Sequence, residues 1–383
     1  MTDAENLRSA LVDELTASGW LTTDEWTAAF SAVPRHVFLP RFFALTADGA
    51  SYEAIDDSHP DWLTMVYRNA VWPTQLDGDK TRWHRARDNG PISGEPTCSS
   101  TQPSLMASML EALHVHDGHR VLEIGTGTGY NAALLAHRLG NDHVVSVDVD
   151  TDLIVQARAN LGDAGYRPTV TIGDGAQGHR DGAPYDRLIA TCSVAAVPPA
   201  WLAQVRPGGV ILTNLYRQLV GCSLARLTVR DDGTAVGRLL DDSGGFMPLR
   251  AHQPANLWGL VKAASKQEGI RRPSRLPETV SNDGPAWTVL ADLVLNDVAR
   301  TDITHDDGRV QWLVHPSGSW AYYETATNDV EQGGPRKLWD ELEDIYRLWA
   351  DNGSPTRDNI GITATPTSET HIWLCEDTNY LNL

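Results

Sequence analysis

The segment VLEIGTGTGY, residues 121–130, constrains the fold of this chain more than any other. A short apolar strand pattern runs into Gly125, Gly127 and Gly129, and a helical pattern, YNAALLAHRL, follows directly. Glycines at a strand-to-helix turn permit a tight bend and let the backbone approach a bound ligand closely. The segment therefore predicts a β-strand, a ligand-binding loop and an α-helix in succession.

Strand-like and helix-like patterns alternate around that turn. The candidate strands HVVSVDVD, PTVTIGDG, YDRLIATC and GGVILTNL are separated by helical or turn material. Near-continuous Val, Ile and Leu runs are typical of parallel strands that are covered on both faces. We predict an α/β fold, a Rossmann-like, doubly wound and mostly parallel sheet.

The pattern changes after about residue 253. Strands with aromatic residues, RVQWLVH and SWAYYET, precede a strongly amphipathic helix in PRKLWDELEDIYRLWADNG. We predict a catalytic domain over residues 1–252 and an added C-terminal α+β domain over 253–383. Residues 48–97 carry weak periodicity and several prolines, which predicts a long irregular segment.

The glycine spacing and three carboxylates indicate S-adenosylmethionine rather than a dinucleotide. The spacing is G-x-G-x-G, whereas a pyrophosphate favours G-x-G-x-x-G. Glu123, just before the first glycine, would repel a pyrophosphate but can face a cationic amino group. Asp148, at the next strand end, is placed for ribose hydroxyls, and Asp174 for the adenine amino group. Each carboxylate alone is equally well a capping or turn residue; their order at successive strand ends favours the cofactor.

The predicted cofactor contacts all follow strand ends. They are Glu123, Gly125, Thr126, Gly127, Gly129, Asp148, Val149, Asp174, Gly175 and Thr191. A nicotinamide oxidoreductase and a non-catalytic module that binds S-adenosylmethionine or a peptide are the alternatives.

Charge and cysteine spacing exclude several classes of protein. The net charge of −19 argues against nucleic acid as a partner, because phosphate binding needs a basic surface. The four cysteines are far apart, which argues against disulfides and a zinc site, so we predict no metal. We find neither a signal-peptide pattern nor an apolar run of the about 18–20 residues that span a membrane. We expect a cytoplasmic protein without a membrane partner, acting as a monomer, although no pattern determines its oligomeric state.

The stretch CSSTQPSLMASML, residues 98–110, opens with hydroxyl-bearing residues and turns on Gln-Pro into an amphipathic pattern. A hydroxyl turn at a helix start caps the helix and also presents N–H groups to an anion. The stretch is therefore a candidate both for a helix cap and for the floor of an active site.

Several segments resemble the protein-L-isoaspartate O-methyltransferase family. They are VPRHVFLP (33–40), TQPSLMASMLEAL (101–113), VLEIGTGTGYNAALLA (121–136), GDG (173–175) and YDRLIATCSVAAVPPAWLAQVRPGGVIL (185–212). The resemblance covers about residues 5–250 and implies a class I S-adenosylmethionine-dependent methyltransferase, with S-adenosylhomocysteine as product. In that family the hydroxyl residue before Gln-Pro is usually serine and contacts the substrate carboxylate. Thr101 matches that position, beside Ser99 and Ser100, and these three are the candidate catalytic residues.

The implied reaction needs few polar groups. A carboxylate is already ionised near neutral pH and requires no base to attack a sulfonium methyl group. Aligning the reactants contributes about 7–11 kcal/mol. We therefore expect hydroxyl and N–H donors rather than a His–Asp pair. Cys192 is interpreted as a small buried hydrophobic residue and not a nucleophile. His36 either lines the substrate groove or closes the N-terminal helices on the sheet.

The chain further resembles actinobacterial relatives found with enzymes of ribosomal peptide biosynthesis (lanthipeptides, graspetides and lasso peptides). The features in common are the C-terminal extension, the long tract before the hydroxyl turn, and GGPRKLWDELEDIYRLW. Those relatives methylate an aspartate in a cyclised precursor peptide, and the ester collapses to an aspartimide that persists or hydrolyses to isoaspartate. The resemblance implies a dedicated peptide aspartate O-methyltransferase, whose C-terminal aromatics are binding anchors or simply core. The alternative is a general protein-L-isoaspartate (D-aspartate) O-methyltransferase that repairs damaged proteins.

Overall fold

The computed structural model describes residues 3–241, 244–250, 256–277, 279–281, 284–305 and 308–375. The helices in these ranges are α1 (Asp3–Ala17), α2 (Asp24–Ala32), α3 (Arg35–Phe38), α4 (Trp62–Val66), α5 (Arg82–Asn89), α6 (Pro103–Ala112), α7 (Tyr130–Leu139), α8 (Thr151–Asp163), α9 (Pro199–Gln204), α10 (Leu257–Ala264), α11 (Ala286–Val294) and α12 (Leu338–Asp351). The strands are β1 (Arg41–Leu45), β2 (Tyr52–Asp56), β3 (Trp72–Leu76), β4 (Pro96–Ser100), β5 (Val121–Ile124), β6 (Val144–Asp148), β7 (Thr169–Ile172), β8 (Tyr185–Val194), β9 (Val205–Tyr216), β10 (Cys222–Val229), β11 (Ala235–Leu239), β12 (Ile270–Pro273), β13 (Ala299–His305), β14 (Gly308–Val314), β15 (Trp320–Glu324), β16 (Asp329–Gly333), β17 (Ile360–Ala364) and β18 (Thr370–Leu374).

The chain divides into two compact units. The first comprises Met1–Cys192, Pro198–Leu212 and Thr228–Gly233. The second comprises Ser193–Val197, Thr213–Leu227 and Thr234–Leu383. The second unit thus includes segments that precede residue 253. A catalytic domain over 1–252 and a recognition domain over 253–383 stay predictions about function.

The first unit contains the predicted parallel strands. Their order is β8-β5-β6-β7, and β5 pairs in parallel with both β6 and β8. All four residues of β5 are buried, as expected for a strand covered on both faces. The predicted α/β fold with a parallel core is confirmed, and the carboxyl ends of β5, β6, β7 and β8 lie at one edge of the sheet.

The segment 48–97 is not the irregular stretch that the sequence predicts. It contains β2, α4, β3, α5 and the first two residues of β4. β1 pairs with β2, and β3 with β4, both antiparallel. The β3–β4 ladder has register shifts, and both of its strands contain a proline, which two-stranded ribbons tolerate. A small core holds the segment together, from side chains far apart in sequence: Phe43, Leu76, Trp83 and Ala86. Only Trp83 and Ala86, both on α5, have a helical spacing, and this pattern is too short to indicate a helix, so the prediction of an irregular segment was wrong.

The second unit contains a five-stranded antiparallel sheet with the order β12-β16-β15-β14-β13. The predicted amphipathic helix is α12, and Trp339 on it stacks on Tyr323 of β15 with ring centroids 4.7 Å apart. Trp287, Trp320 and Trp339 are all buried. These aromatic residues form core, whereas Trp258 on α10 is 64% exposed.

Helices that could reach across a lipid bilayer are absent from the part of the chain that the structure describes.

Candidate active site

The glycine turn joins β5 to α7 through three left-handed residues. Gly125, Gly127 and Gly129 have φ angles of 95°, 52° and 88°, values that favour glycine. The Gly125 N–H donates to the Val147 carbonyl of β6 at 2.8 Å. A Cβ on Gly129 would lie 3.3 Å from Ala157 of α8, so this glycine allows α7 and α8 to approach closely. The turn is therefore built for close backbone approach, as the sequence predicts.

Thr191 of β8 fixes the turn from the neighbouring strand. Its Oγ1 donates to the Gly125 carbonyl at 2.7 Å and lies 3.2 Å from the Ile124 carbonyl. A Cβ on Gly125 would lie 2.8 Å from this oxygen, which is closer than real Cβ contacts come. Thr191 thus restrains the turn with its own hydroxyl proton.

Asp148 lies at the end of β6, and both of its carboxylate oxygens accept backbone hydrogen bonds. Oδ2 accepts from the Gly127 N–H and Oδ1 from the Asp150 N–H, each at 3.0 Å. The side chain is half-buried. Because a carboxylate oxygen has two lone pairs, each oxygen can accept one further hydrogen bond. This arrangement suits two adjacent hydroxyl donors such as those of a ribose.

Glu123 is fully buried beneath the glycine turn, at 0% exposure. Its Oε1 accepts from Asn131 Nδ2 at 2.7 Å and its Oε2 from Ser146 Oγ at 2.5 Å, and Ser146 Oγ also lies 2.6 Å from Thr126 Oγ1. Burial raises the pKa of Glu123 to about 7; the bonds from Ser146 and Asn131 oppose this, and the Asp148 charge adds to it. Through Ser146, the Glu123 side chain is connected to Thr126 in the glycine turn and so stabilises the turn from the buried side. Direct contact between Glu123 and the amino group of the methionine part of the cofactor stays a prediction.

The remaining predicted cofactor residues follow β6 and β7. Asp174 is exposed, and its Oδ1 accepts from the Ala176 N–H at 3.0 Å, which caps a short 3-10 turn. Gly175 is buried, and its carbonyl accepts from Trp201 Nε1 at 2.8 Å. Val149 is 43% exposed. Asp174 therefore caps this short turn through Oδ1, and its Oδ2 can still accept a hydrogen bond from a ligand.

The hydroxyl stretch forms a strand and not a helix cap. Ser99 and Ser100 lie on β4, Thr101 follows, and α6 begins at Pro103. The cap position is held by Gln102, whose side chain makes no capping bond. The cap comes from elsewhere, because the Ser104 N–H donates to Asn69 Oδ1 at 3.0 Å. The cap interpretation of these hydroxyls is wrong, and Ser99 and Thr101 stay half-buried.

The strand that carries these hydroxyls packs on the glycine turn. A Cβ on Gly127 would lie 3.5 Å from Cys98 Sγ and 3.9 Å from the Ser99 carbonyl. Burial raises the pKa of Cys98 to about 12, and burial likewise raises the pKa of Cys192, so both thiols stay protonated at neutral pH. The structure thus brings together the predicted cofactor loop and the predicted substrate turn, with neutral thiols beside them.

Sequence reasoning missed Gln75, which ties the β3–β4 hairpin to the loop after β6. Gln75 is buried; its Nε2 donates to Asp150 Oδ2 at 3.1 Å, and its Oε1 accepts from Thr97 Oγ1 at 2.7 Å. Asp150 Oδ1 in turn accepts from the Asp152 N–H and caps α8. A single glutamine in WPTQL carries no pattern that could have indicated this link.

His36 packs against α4 and the residue after it. Its Nδ1 lies 2.8 Å from Tyr67 Oη, and its ring meets the Trp62 ring edge-on. Burial lowers the pKa of His36, with a smaller contribution from Arg8. These contacts place His36 against the segment that contains α4 and do not decide between the two interpretations that the sequence left open.

Comparisons with known proteins identify the family of the chain. The family model described as Protein-L-isoaspartate(D-aspartate) O-methyltransferase (PCMT) matches residues 81–244. The protein-L-isoaspartate O-methyltransferase of Ignicoccus hospitalis is 29% identical over 247 residues, 64% of this chain and 98% of the relative. That of Azorhizobium caulinodans is 43% identical over 162 residues, 42% of this chain and 72% of the relative. A solved protein-L-isoaspartate O-methyltransferase aligns with 96% of this chain and 100% of its own, at 24% identity and a TM-score of 0.56, and so has the same fold.

The residues at the strand ends fit the family's cofactor, S-adenosylmethionine. The glycines at 125, 127 and 129 leave the turn without side chains, so a ligand can approach its backbone closely, and Asp148 offers two further acceptor positions. Family membership and this fit agree with the class I methyltransferase fold. The chain belongs to the protein-L-isoaspartate O-methyltransferase family and is an S-adenosylmethionine-dependent protein carboxyl O-methyltransferase.

Proposed function

We propose that this enzyme methylates the side-chain carboxylate of isoaspartyl residues in peptides and proteins. One observation carries the proposal: β4, with Ser99 and Ser100, packs on the glycine turn at Gly127. A substrate held at the hydroxyls would then lie beside the cofactor loop. The names of the relatives point to the same substrate.

In this proposal Thr101, with Ser99 and Ser100, binds the substrate carboxylate. Ser100 Oγ accepts a hydrogen bond from Arg35 Nη2 at 3.3 Å, which leaves its own proton to donate. Asp148 holds the ribose and Asp174 the adenine amino group. Glu123, Thr126 and the glycines shape the turn that these groups share.

The chemistry then needs no proton transfer. When bound, S-adenosylmethionine supplies a methyl group on a positively charged sulfur. The ionised carboxylate oxygen would form the new bond to this carbon as the carbon–sulfur bond breaks, with S-adenosylhomocysteine as the second product. Because carboxylates are ionised near neutral pH, this chain's residues only orient the oxygen and exclude water.

The test uses synthetic peptides of one sequence that differ at one position. That position carries isoaspartate, aspartate or asparagine, and the methyl donor is labelled. We expect label as base-labile ester on the isoaspartyl peptide and none on the asparaginyl peptide. Labelling of the aspartyl peptide alone would contradict the isoaspartate proposal.

The second candidate is an aspartate in a cyclised precursor peptide. It is suggested by the resemblance to the relatives found with ribosomal peptide biosynthesis, which share a C-terminal extension; here the family match ends at residue 244. The C-terminal chain does not decide between the two substrates, since a solved isoaspartate methyltransferase aligns over nearly the whole chain. A cyclised aspartyl peptide is therefore the fourth substrate of the experiment, and its selective labelling would establish this candidate.

Under either candidate we propose that residues 253–383 recognise the peptide. Trp258 is exposed on α10 and is the aromatic side chain best placed to act as an anchor, because exposed tryptophans are enriched among residues that dominate binding energy. Loss of peptide affinity in Trp258→Ala, with unchanged cofactor affinity, would support this role. A cytoplasmic location and a monomeric state stay predictions.

A further inference from the structure

We propose that Arg35 is a positioning residue for the substrate, which holds the Ser100–Thr101 turn in its working conformation. The inference rests on the proposed function of that turn. Arg35 lies at the start of α3, in the segment VPRHVFLP, in which the sequence singles out only His36.

Arg35 is fully buried, at 0% exposure, and its guanidinium serves two segments. On one side it donates to the carbonyls of Val66 at 2.6 Å, Arg68 at 3.0 Å and Ala70 at 3.1 Å. On the other side Nη2 donates to Ser100 Oγ at 3.3 Å and to the Thr101 carbonyl at 3.2 Å. One side chain thus joins residues 66–70 to the turn that carries the predicted catalytic hydroxyls.

The charge of Arg35 has no carboxylate partner within the described ranges of the chain. Burial lowers the pKa of Arg35 to about 10, so the guanidinium stays charged at neutral pH. A buried charge is expensive unless hydrogen bonds compensate for it. Here neutral carbonyl and hydroxyl oxygens accept from both Nη atoms, whereas Nε has no partner among the described residues, so these bonds are the compensation that the charge receives.

Asn69 makes a second link between the same two segments. Its Oδ1 accepts from the Ser104 N–H at 3.0 Å at the start of α6. The Thr101 carbonyl is therefore held by Arg35 on one side of Gln102, and the helix start is held by Asn69 on the other. With both ends held, the backbone that carries the Thr101 side chain is restrained.

An arginine is required because the guanidinium is a planar fork with donors on two sides. A lysine ammonium is a single point charge and cannot reach both segments in the same geometry. Arg35→Lys therefore keeps the positive charge but loses some of the hydrogen bonds that connect residues 66–70 to the Ser100–Thr101 turn. Displacement of a reacting group by a fraction of an ångström to an ångström is enough to lower the rate roughly 10- to 100-fold.

The control is Arg187→Lys. Arg187 of β8 is also buried and also donates to backbone carbonyls, those of Leu113 and His114 at 2.8–3.0 Å. It contacts none of the predicted site residues through these bonds. Both variants should lose thermal stability, but only Arg35→Lys should affect the substrate turn.

The experiment measures methyl transfer to the isoaspartyl peptide, cofactor affinity by calorimetry, and hydrogen exchange by mass spectrometry. For Arg35→Lys we expect kcat/KM to fall roughly 10- to 100-fold, cofactor affinity to stay at the wild-type value, and exchange to rise in residues 99–104. Unchanged kcat and KM in Arg35→Lys, with a stability loss like that of Arg187→Lys, would overturn the proposal.

Failure of the proposed function has a different signature. Wild-type protein without activity on the isoaspartyl peptide refutes the substrate, while exchange in residues 99–104 still decides whether Arg35 holds the turn. If Arg35→Lys does not fold, Asn69→Ala weakens the same turn from its other end. We expect a smaller fall in kcat/KM for Asn69→Ala, and an unchanged value with unchanged exchange would overturn the proposal as well.

Discussion

Replacing the buried Glu123 by glutamine should make the protein more stable at alkaline pH than the wild type. Burial raises the pKa of this carboxyl from its ordinary 4.5 to about 7. In the folded protein the proton is therefore held more tightly than in the unfolded chain. As pH rises from about 4.5 to about 7, the unfolded chain releases this proton first, and the free energy of unfolding falls.

The magnitude follows from the size of the shift. The pKa of Glu123 rises from 4.5 in the unfolded chain to about 7 in the folded protein. Since one pKa unit is about 1.4 kcal/mol, the wild type loses about 3 kcal/mol of its free energy of unfolding above pH 7. Glutamine is neutral at every pH and has nearly the same shape. Its oxygen can accept from Asn131 Nδ2, and its amide can donate to Ser146 Oγ, whose proton then turns to Thr126 Oγ1.

The assay is urea unfolding of wild type and Glu123→Gln at about pH 5 and about pH 8. We expect the two proteins to be of similar stability at the lower pH and the variant to gain up to about 3 kcal/mol relative to wild type at the higher pH. The control Ile154→Val, a buried substitution on α8 without a titratable group, should change stability equally at both pH values. A variant that is destabilised equally at both pH values would refute the reasoning, because the ionised carboxylate would then carry no burial penalty.

Substitutions at three further positions, Asp148, Thr101 and Gly125, test the site. Asp148→Ala removes the acceptor of the Gly127 N–H and should weaken cofactor binding by about 1–3 kcal/mol in calorimetry; unchanged affinity would contradict the ribose role. Thr101→Ala should lower the methylation rate with cofactor affinity kept, and Thr101→Ser, compared on isoaspartyl and aspartyl peptides, tests whether the extra methyl group sets substrate choice. Gly125→Ala should destabilise the protein by more than about 1–2 kcal/mol, because it combines a left-handed backbone with a contact at 2.8 Å to Thr191 Oγ1. Thermal unfolding checks this, and a loss equal to that of Gly127→Ala, which meets only ordinary contacts, would argue against the clash.

The parallel strands and the glycine turn could be predicted because their signals are local. Strand, turn and helix follow one another within residues 121–139, and the positive φ angles at the turn need glycine. The carboxylates at the strand ends could be located in the same way, since strand ends are visible in the apolar runs. Their hydrogen bonds could not, because Glu123 meets Ser146 across 23 residues and the sequence does not show which face it occupies.

The sequence indicated which residues form the predicted substrate turn, but not their secondary structure or their hydrogen bonds. The hydroxyls resemble a helix cap, yet the cap comes from Asn69, 35 residues away. Arg35 reaches Thr101 across 66 residues, and Gln75 reaches Asp150 across 75. The Asn69 and Gln75 contacts arise from the packing of the 48–97 segment, and the Arg35 contact joins the residues on either side of that segment.

The β3–β4 hairpin has a thermodynamic consequence. On β3, Gln75 donates a hydrogen bond to Asp150, which lies two residues after the predicted ribose acceptor Asp148. The paired strand β4 ends with Ser99 and Ser100, two of the hydroxyl residues of the predicted substrate turn. A ligand that orders either loop also restricts the β3–β4 pair, so the protein loses less conformational entropy when the second ligand binds. The nucleotide and the peptide should then each increase the other's affinity, and by reciprocity the factor is the same in both directions.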